Sequence, residues 1–333
     1  MAGLRPKISA VIPTLGASPH LETCLRALRS DGGEELEIVL VDQSPKPLDL
    51  PEELTDQVIR PGKNLGFAEA TNRGIAASKA PLVATINDDL VIHPNWCARL
   101  EQVLAGNPRA AAVQGLQTRL GNEREIDGCG IALDHWWQAC QLGSEEPANL
   151  WSDPETTEIF GVSATAALYR RSALERVALP QPRLLRLAGL PSGRRGPRFF
   201  DSSLGSYYED VDLACRLRAA GFRAYRAPGA RADHAGSATG NRRPLKRLTQ
   251  LRGNRYAVVA RLLGRTLWLN LPRMLERDTR DLVRACLRGQ FTNAAAILLG
   301  LVRAIWLGPR YVHFGPPSVP LEQIRRFRPE RAR

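Results

Sequence analysis

Residues 80–90 read APLVATINDDL. The run LVATI (82–86) is too apolar to lie open to water and reads as a buried strand, with Asn87, Asp88 and Asp89 at its C-terminal end. Working outward, KISAVIPTL (7–15) is a second buried strand, ended by Pro13. LEIVLVDQS (36–44) is a third, near-continuously apolar as a strand covered on both faces would be. HLETCLRALRS (20–30) spaces Leu21, Leu25 and Leu28 at i, i+4 and i+7, an amphipathic helix. GFAEATNRGIAASK (66–79) is helical and opens after Gly66. HPNWCARLEQVLAGNP (93–108) is a helix with Gly106 and Pro108 as stop signals, and AAAVQGLQT (110–118) is a further strand. This β-α-β-α-β order predicts an α/β domain with a mostly parallel central sheet flanked by helices. Such sheets bind ligands beyond the carboxyl ends of their strands. Three polar clusters fall at those ends: Pro13-Thr14, Asp42-Gln43-Ser44 and Asn87-Asp88-Asp89. Their coincidence points to a site.

Adjacent residues on a strand face opposite ways, so one of Asp88 and Asp89 is expected to face the pocket. Carboxylates at a strand end suit a hard divalent cation whose other positions a substrate diphosphate fills. A plain turn is the competing reading, since Asn and Asp favour turns. A second acidic group lies in SYYEDVDLACRLRAAGFRAYRAPGARADHAG (206–236). Leu213, Leu217 and Ala220 mark a helix stopped by Gly221, which puts Glu209, Asp210 and Asp212 in its first turn. The helix dipole favours acids there, and Asp212 can pair with Arg216 at i+4. Glu209 and Asp210 follow an aromatic run. A carboxylate beside another acid and apolar rings has its pKa pushed upward, which suits a general base. His234 closes the unit, and a lone histidine is more often structural than a ligand.

The composition, 44% hydrophobic and 24% charged over 333 residues, supports a sizeable core without disulfides. The six cysteines form no CxxC pair and read as reduced thiols in a cytosolic protein. The N-terminus leads straight into strand-like sequence with no signal-peptide core. The formal charge of +12 is uneven. Residues 241–333 hold 20 Lys and Arg against 5 Asp and Glu, whereas residues 1–240 hold 26 against 29. The asymmetry points to a near-neutral domain over 1–240, whose regular pattern over 7–118 loosens over 119–240, with a basic amphipathic helical extension over 241–333. The stretch LPQPRLLRLAGLPSGRRGPRFF (179–200) reads as a mobile loop. NAAAILLGLVRAIWLG, the longest apolar run of the tail, is short for a transmembrane span and carries Arg303. Basic helices with Trp268 and Trp306 suit an anionic bilayer surface, or they pack on the catalytic domain with solvated arginines; both can hold. No nucleic-acid motif accompanies the charge.

Taken in order, AVIPTLG, IVLVDQS, KNLGFAEATNRGIAAS, TINDDL, GVSATAALYRRSAL and YYEDVDLACRLRAAGFRAYRAPGARADH resemble the inverting family 2 glycosyltransferases. The resemblance covers roughly residues 7–240 and is greatest to a bacterial, rhamnosyltransferase-like branch. It implies the nucleotide-diphospho-sugar transferase (A-type glycosyltransferase) fold, with a catalytic domain over 1–240 made of a nucleotide-sugar-binding half at 7–118 and an acceptor-binding half at 119–240. By its pattern Pro13, Thr14 and Asp42 lie where the nucleotide's base and ribose bind, and Asn64, Gly66 and Asn72 beside the nucleotide. Asn87, Asp88 and Asp89 match the metal motif, with Asn87 a departure from a strict acid pair; Asn87 and Asp88 fall on the nucleotide side, Asp88 either supplying a ligand or facing a ribose. Asp89 and His234 match metal positions, Asp210 the catalytic base, and Glu209 a residue that contacts the acceptor or orients the base.

The resemblance further implies a sugar moved from a nucleotide-diphosphate sugar to a hydroxyl of a glycan or polyprenyl-linked acceptor. Mg²⁺ or Mn²⁺ would assist, and one displacement would invert the anomeric centre. The expected location is cytoplasmic, peripheral at the inner face of the plasma membrane. Two rival readings fit the residues less well. A sugar-phosphate nucleotidyltransferase would carry a Gly-rich, Lys- or Arg-bearing N-terminal loop, and IPTLGASPH lacks one. A non-catalytic sugar-nucleotide or polysaccharide-binding protein would not need the positioned acids of EDVD.

Overall fold

The apolar runs form the centre of the computed structural model, which describes residues 5–151, 155–180, 197–236, 244–313, 315 and 317–328. Strand β1 (Ile8–Thr14) is buried at every position and pairs in parallel with β2 (Leu36–Asp42) on one side and β4 (Leu82–Ile86) on the other. β3 (Gln57–Ile59), a short strand with no clear sequence signal, extends the sheet beyond β2. Helix α1 (Leu21–Gly32) returns the chain from β1 to β2, and α2 (Phe67–Ala77) carries it back across to β4. The winding therefore reverses at β1, so the carboxyl ends of β1 and β4 border a switch-point crevice.

Past β4 the sheet becomes mixed. β5 (Leu90–Ile92), α3 (Trp96–Gly106), β6 (Ala110–Arg119) and β7 (Asn122–Gly128) follow, then a separate pair, β8 (Ile131–Leu133) and β9 (Ala139–Gln141). β10 (Thr157–Ile159) leads to β11 (Ala166–Arg170), which wedges antiparallel between β4 and β6 and runs into α4 (Arg171–Arg176). Helix α5 (Glu209–Ala219) and the long strand β12 (Arg223–His234) complete the domain, β12 lying parallel to β6. The main path of the sheet runs β10-β12-β6-β11-β4-β1-β2-β3, with β5 on β12 and β7 on β6. The α/β class and flanking helices are as expected; the parallel character belongs to β1–β4 and to the β6–β12 pair.

Leu25, Leu28, Trp96 and Leu100 fill one face of the sheet from α1 and α3. Ile75, Leu174, Leu213 and Leu217 fill the other from α2, α4 and α5. A Cβ on Gly74 of α2 would come within 2.2 Å of Val11 Cγ1, so this helix lies hard against β1. Three helices follow: α6 (Pro244–Leu263), α7 (Leu267–Leu287) and α8 (Phe291–Leu307), with a short α9 (Leu321–Arg325). α6 is buried along its second half, where Tyr256, Val259 and Leu263 join Tyr208 and Val211 of the α5 region in one cluster. Asp278 of α7 ties the bundle together inside, accepting from Arg252, Arg255 and the Tyr256 hydroxyl.

Two expectations change. The apolar helix of the tail begins at Phe291, and the segment Phe291–Arg310 has the length and composition to cross a membrane, so the length argument against a span does not hold. Asp212 makes the expected i+4 pair with Arg216 but is fully buried, with Arg261 as a second partner, where a first-turn acid is ordinarily solvated. Of the stretch read as a mobile loop, residues 181–196 lie outside the described residues.

Candidate active site

The strand register sets the site's floor, because Thr14 at the end of β1 stands level with Asp42 at the end of β2. Pro13 is buried in the strand just before, opposite Val41. Asp42 is 2% exposed, accepts from the Ser44 amide at 2.9 Å, and pairs with Arg60 Nε at 3.2 Å. Arg60 carried no sequence signal; its place follows from β3 bringing it alongside β2. Gln43 accepts from the Leu65 amide, and Asn64 Oδ1 accepts from the Gly66 amide at 2.8 Å. Gly66 starts α2 at φ 79°, in the left-handed region that favours glycine, and a Cβ there would sit 3.4 Å from the Gly205 carbonyl oxygen. Asn72 is placed differently. Both ends of its buried amide are engaged by the 199–200 backbone, donating to the Phe200 carbonyl and accepting from the Phe199 and Phe200 amides.

Asn87, Asp88 and Asp89 lie between β4 and β5, and Asp88 and Asp89 form a turn, so the turn and the site occupy the same residues. Asn87 donates its amide to the Thr165 carbonyl. The two acids part company. Asp88 Oδ2 accepts from the Thr14 hydroxyl at 2.5 Å, towards β1. Burial pushes the Asp88 carboxyl up to about 6, with the Asp89 charge adding and the Thr14 hydroxyl opposing. Asp89 is 6% exposed and turns to β12, where its Oδ1 lies 3.2 Å from His234 Nε2.

His234 Nδ1 lies 2.8 Å from Asp127 Oδ2. Burial disfavours the imidazolium, but Asp127 and Asp89 outweigh it and raise His234 to about 9. The buried Nε2 sits at ion-pair distance from Asp89 without the alignment of a hydrogen bond. A carboxylate oxygen and an under-satisfied imidazole nitrogen that face each other, with the second nitrogen anchored by a carboxylate, are a donor set suited to a divalent cation. Among the described residues no group of three or more His, Cys, Asp or Glu side chains forms a ligand cage. Any such ion would therefore draw most of its shell from substrate and water. Asp127 was not singled out by sequence reading. It lies in the loosely patterned stretch after residue 119, and its partner is 107 positions away.

Glu209 and Asp210 open α5 directly after Tyr207 and Tyr208, which hold φ of 70° and 71°. Two consecutive non-glycine residues in this region are strained, and such strain persists where surrounding contacts enforce it. Asn254 of α6 supplies them, its amide nitrogen lying within 2.8–3.1 Å of the carbonyl oxygens of Leu204, Ser206 and Tyr207. Asp210 Oδ1 accepts from the Val211 amide at 2.8 Å and Oδ2 from the Ala164 amide at 3.4 Å. The turn 163–165 thus touches both acidic motifs, through Ala164 to Asp210 and through Thr165 to Asn87. Burial raises Asp210 above the ordinary carboxylate range, although its backbone donors oppose the rise. Glu209 is raised further, by burial and then by the Asp210 charge, and its Oε2 has no hydrogen-bond partner.

A family model described as glycosyl transferase family 2 matches residues 9–178, just over half of the chain. A stretch of 105 residues is 29% identical to EpsH of Bacillus subtilis, which is named a glycosyltransferase, and takes in 28% of this chain and 29% of that one. The chain thus spans under a third of that curated relative. The solved mannosyltransferase PcManGT of Pyrobaculum calidifontis, in complex with GDP-Man and Mn²⁺, superposes with a TM-score of 0.52 at 16% identity, over 91% of this chain and 88% of that one. GalNAc-T7, solved with UDP, GalNAc and Mn²⁺, gives a TM-score of 0.52 at 15% identity, over 71% of this chain and 45% of that one. At such identities the likeness concerns the fold, which is the A-type glycosyltransferase architecture.

Proposed function

The chain belongs to glycosyl transferase family 2, and we propose that it moves a sugar from a nucleotide-diphosphate sugar to a hydroxyl of a glycan acceptor, with inversion at the anomeric carbon. The observation that carries this reading is the turn after β4, whose Asp88 meets Thr14 and whose Asp89 meets His234, while the 163–165 segment touches both Asn87 and Asp210. In this reading Thr14 and Asp42 border the base and ribose, and the Asn64–Gly66 turn flanks the nucleotide. Asp89 and His234 would hold Mg²⁺ or Mn²⁺. Such an ion, when bound, stabilises the charge on the departing nucleoside diphosphate.

Asp210 takes the proton from the acceptor hydroxyl. It is raised by burial, so it competes for that proton better than an exposed carboxylate would. Burial and the Asp210 charge raise Glu209 well above its ordinary value, which disfavours a second negative charge in the same space. The freed oxygen then attacks the anomeric carbon through an oxocarbenium-like state. The rhamnosyl branch that the sequence resembles makes dTDP-rhamnose the first donor to try, and a lipid-linked glycan the first acceptor.

Two measurements test the proposal together. Thermal shift against dTDP, UDP, GDP and CDP, each with and without Mn²⁺, should give a metal-dependent rise with one nucleotide. With that donor, Asp210→Asn should release nucleoside diphosphate at least about a hundredfold more slowly while keeping the same thermal shift. Full turnover by Asp210→Asn would remove the base assignment.

A further inference from the structure

The tail helices leave apolar surface bare. On α7, Trp268, Leu275 and Val283 are exposed at spacings of one helix face. On α8, Phe291, Val302 and Ile305 do the same, Phe291 and Ile305 at 77% and 78% exposure. Leu287 at the end of α7 and Phe291 at the start of α8, both exposed, flank the turn between the helices. Their opposite sides are occupied: α8 buries Ala294, Ile297 and Gly300, and a Cβ on Gly300 would collide with Arg252 of α6.

The charge around these stripes has one sign. No acidic residue occurs between positions 282 and 321, while Arg284, Arg288, Arg303 and Arg310 fall within that span. The acids of α7 are already neutralised: Glu276 pairs with Arg280, Asp278 with Arg255 and Asp281 with Arg252. The Arg310 guanidinium stacks 4.4 Å from the ring centroid of the exposed Trp306, putting a cation and an amphipathic ring side by side.

We propose that this α7–α8 face seats on an anionic lipid bilayer, the helices lying in the interface with their apolar stripes among the acyl chains and the arginines among the headgroups. Apolar area and basic charge together are what such a surface recognises. A second copy of the chain fits less well, because face-to-face packing would oppose two tails of 20 basic and 5 acidic residues each. Crossing the bilayer fits less well too. Arg303, near the middle of the apolar segment, donates to Asn254 Oδ1 and the Leu204 carbonyl, and a span would pull these bonds apart.

The test is flotation of the full chain with vesicles of phosphatidylcholine alone and of equal parts phosphatidylcholine and phosphatidylglycerol. It reads binding and not turnover, so it is independent of the transferase reading. The chain should float with the anionic vesicles and stay behind with the neutral ones. Val302→Asp and Ile305→Asp, both at exposed positions, should each lower partitioning about tenfold with an unchanged melting transition. Arg284→Glu combined with Arg288→Glu should weaken it and flatten its salt dependence. The proposal is overturned if the wild-type chain ignores anionic vesicles at low salt, or if the aspartate variants float as well as it does. A dimer in solution that Ile305→Asp dissociates, with no vesicle binding, would give the face to a second copy instead.

Discussion

Glu209 and Asp210 are neighbours with different work to do, and their surroundings separate them. Asp210 is partly buried with a backbone amide on each carboxylate oxygen; Glu209 is buried with one oxygen unpartnered. Burial raises both carboxyls, and the Asp210 charge adds to the rise of Glu209. A base acts only when ionised, so activity should rise with pH through a midpoint above the ordinary carboxylate range. Because burial is the largest cause of the Asp210 rise, Glu209→Gln should leave that acid limb close to where it is. A kcat/KM–pH profile of the two proteins checks this, and a limb that drops markedly in the variant would show both carboxylates charged together. At this scale the residues at strand ends were legible in sequence, because a buried strand must put its last polar residues in one place. Asp127 and Arg60 were not. Each acquires its role from a partner that only the sheet brings near. Asn72 shows the converse, a polar residue of the expected helix whose amide the fold spends on its own backbone.

The helix that presents these acids is set by another helix. Asn254 on α6 holds the carbonyls that precede α5, and Arg303 on α8 in turn donates to Asn254. Asn254→Ala leaves several carbonyls without their donor and should cost on the order of 3 kcal/mol. It also frees Tyr207 and Tyr208 from their strained backbone, so kcat should fall more than donor affinity does. Denaturant unfolding and steady-state kinetics read the two effects separately; a stability loss with unchanged kcat would make Asn254 a packing residue alone. Long apolar elements such as β1, β2 and α1 were plain from pattern. β3 and β5, three residues each, were not, since so short a run carries no periodicity. The insertion of β11 between β4 and β6 was equally hidden, because strand order is decided by contacts far apart in the chain.

At the scale of the whole molecule, the division of charge at residue 240 does not coincide with a division of packing. Leu204, Tyr208 and Val211 share one hydrophobic cluster with Tyr256, Val259 and Leu263. Removing residues 244–333 should therefore leave 1–243 without a cooperative unfolding transition, and calorimetry of the two chains decides it. The charge asymmetry was visible in sequence; the shared core was not, because the apolar positions of α6 stand among arginines that the fold turns to different uses. Arg261 is the plainest case. It reaches out of the tail to Asp201 and Asp212, and its guanidinium, with Ser203 and Arg198, overcomes burial to hold Asp201 down at about 2. That lock straddles the line along which one would cut the protein into modules. Exchanging tails among relatives, to retarget an enzyme from one cellular surface to another, would have to carry the 201–216 segment along with the graft, since key and keyhole lie on opposite sides of the seam.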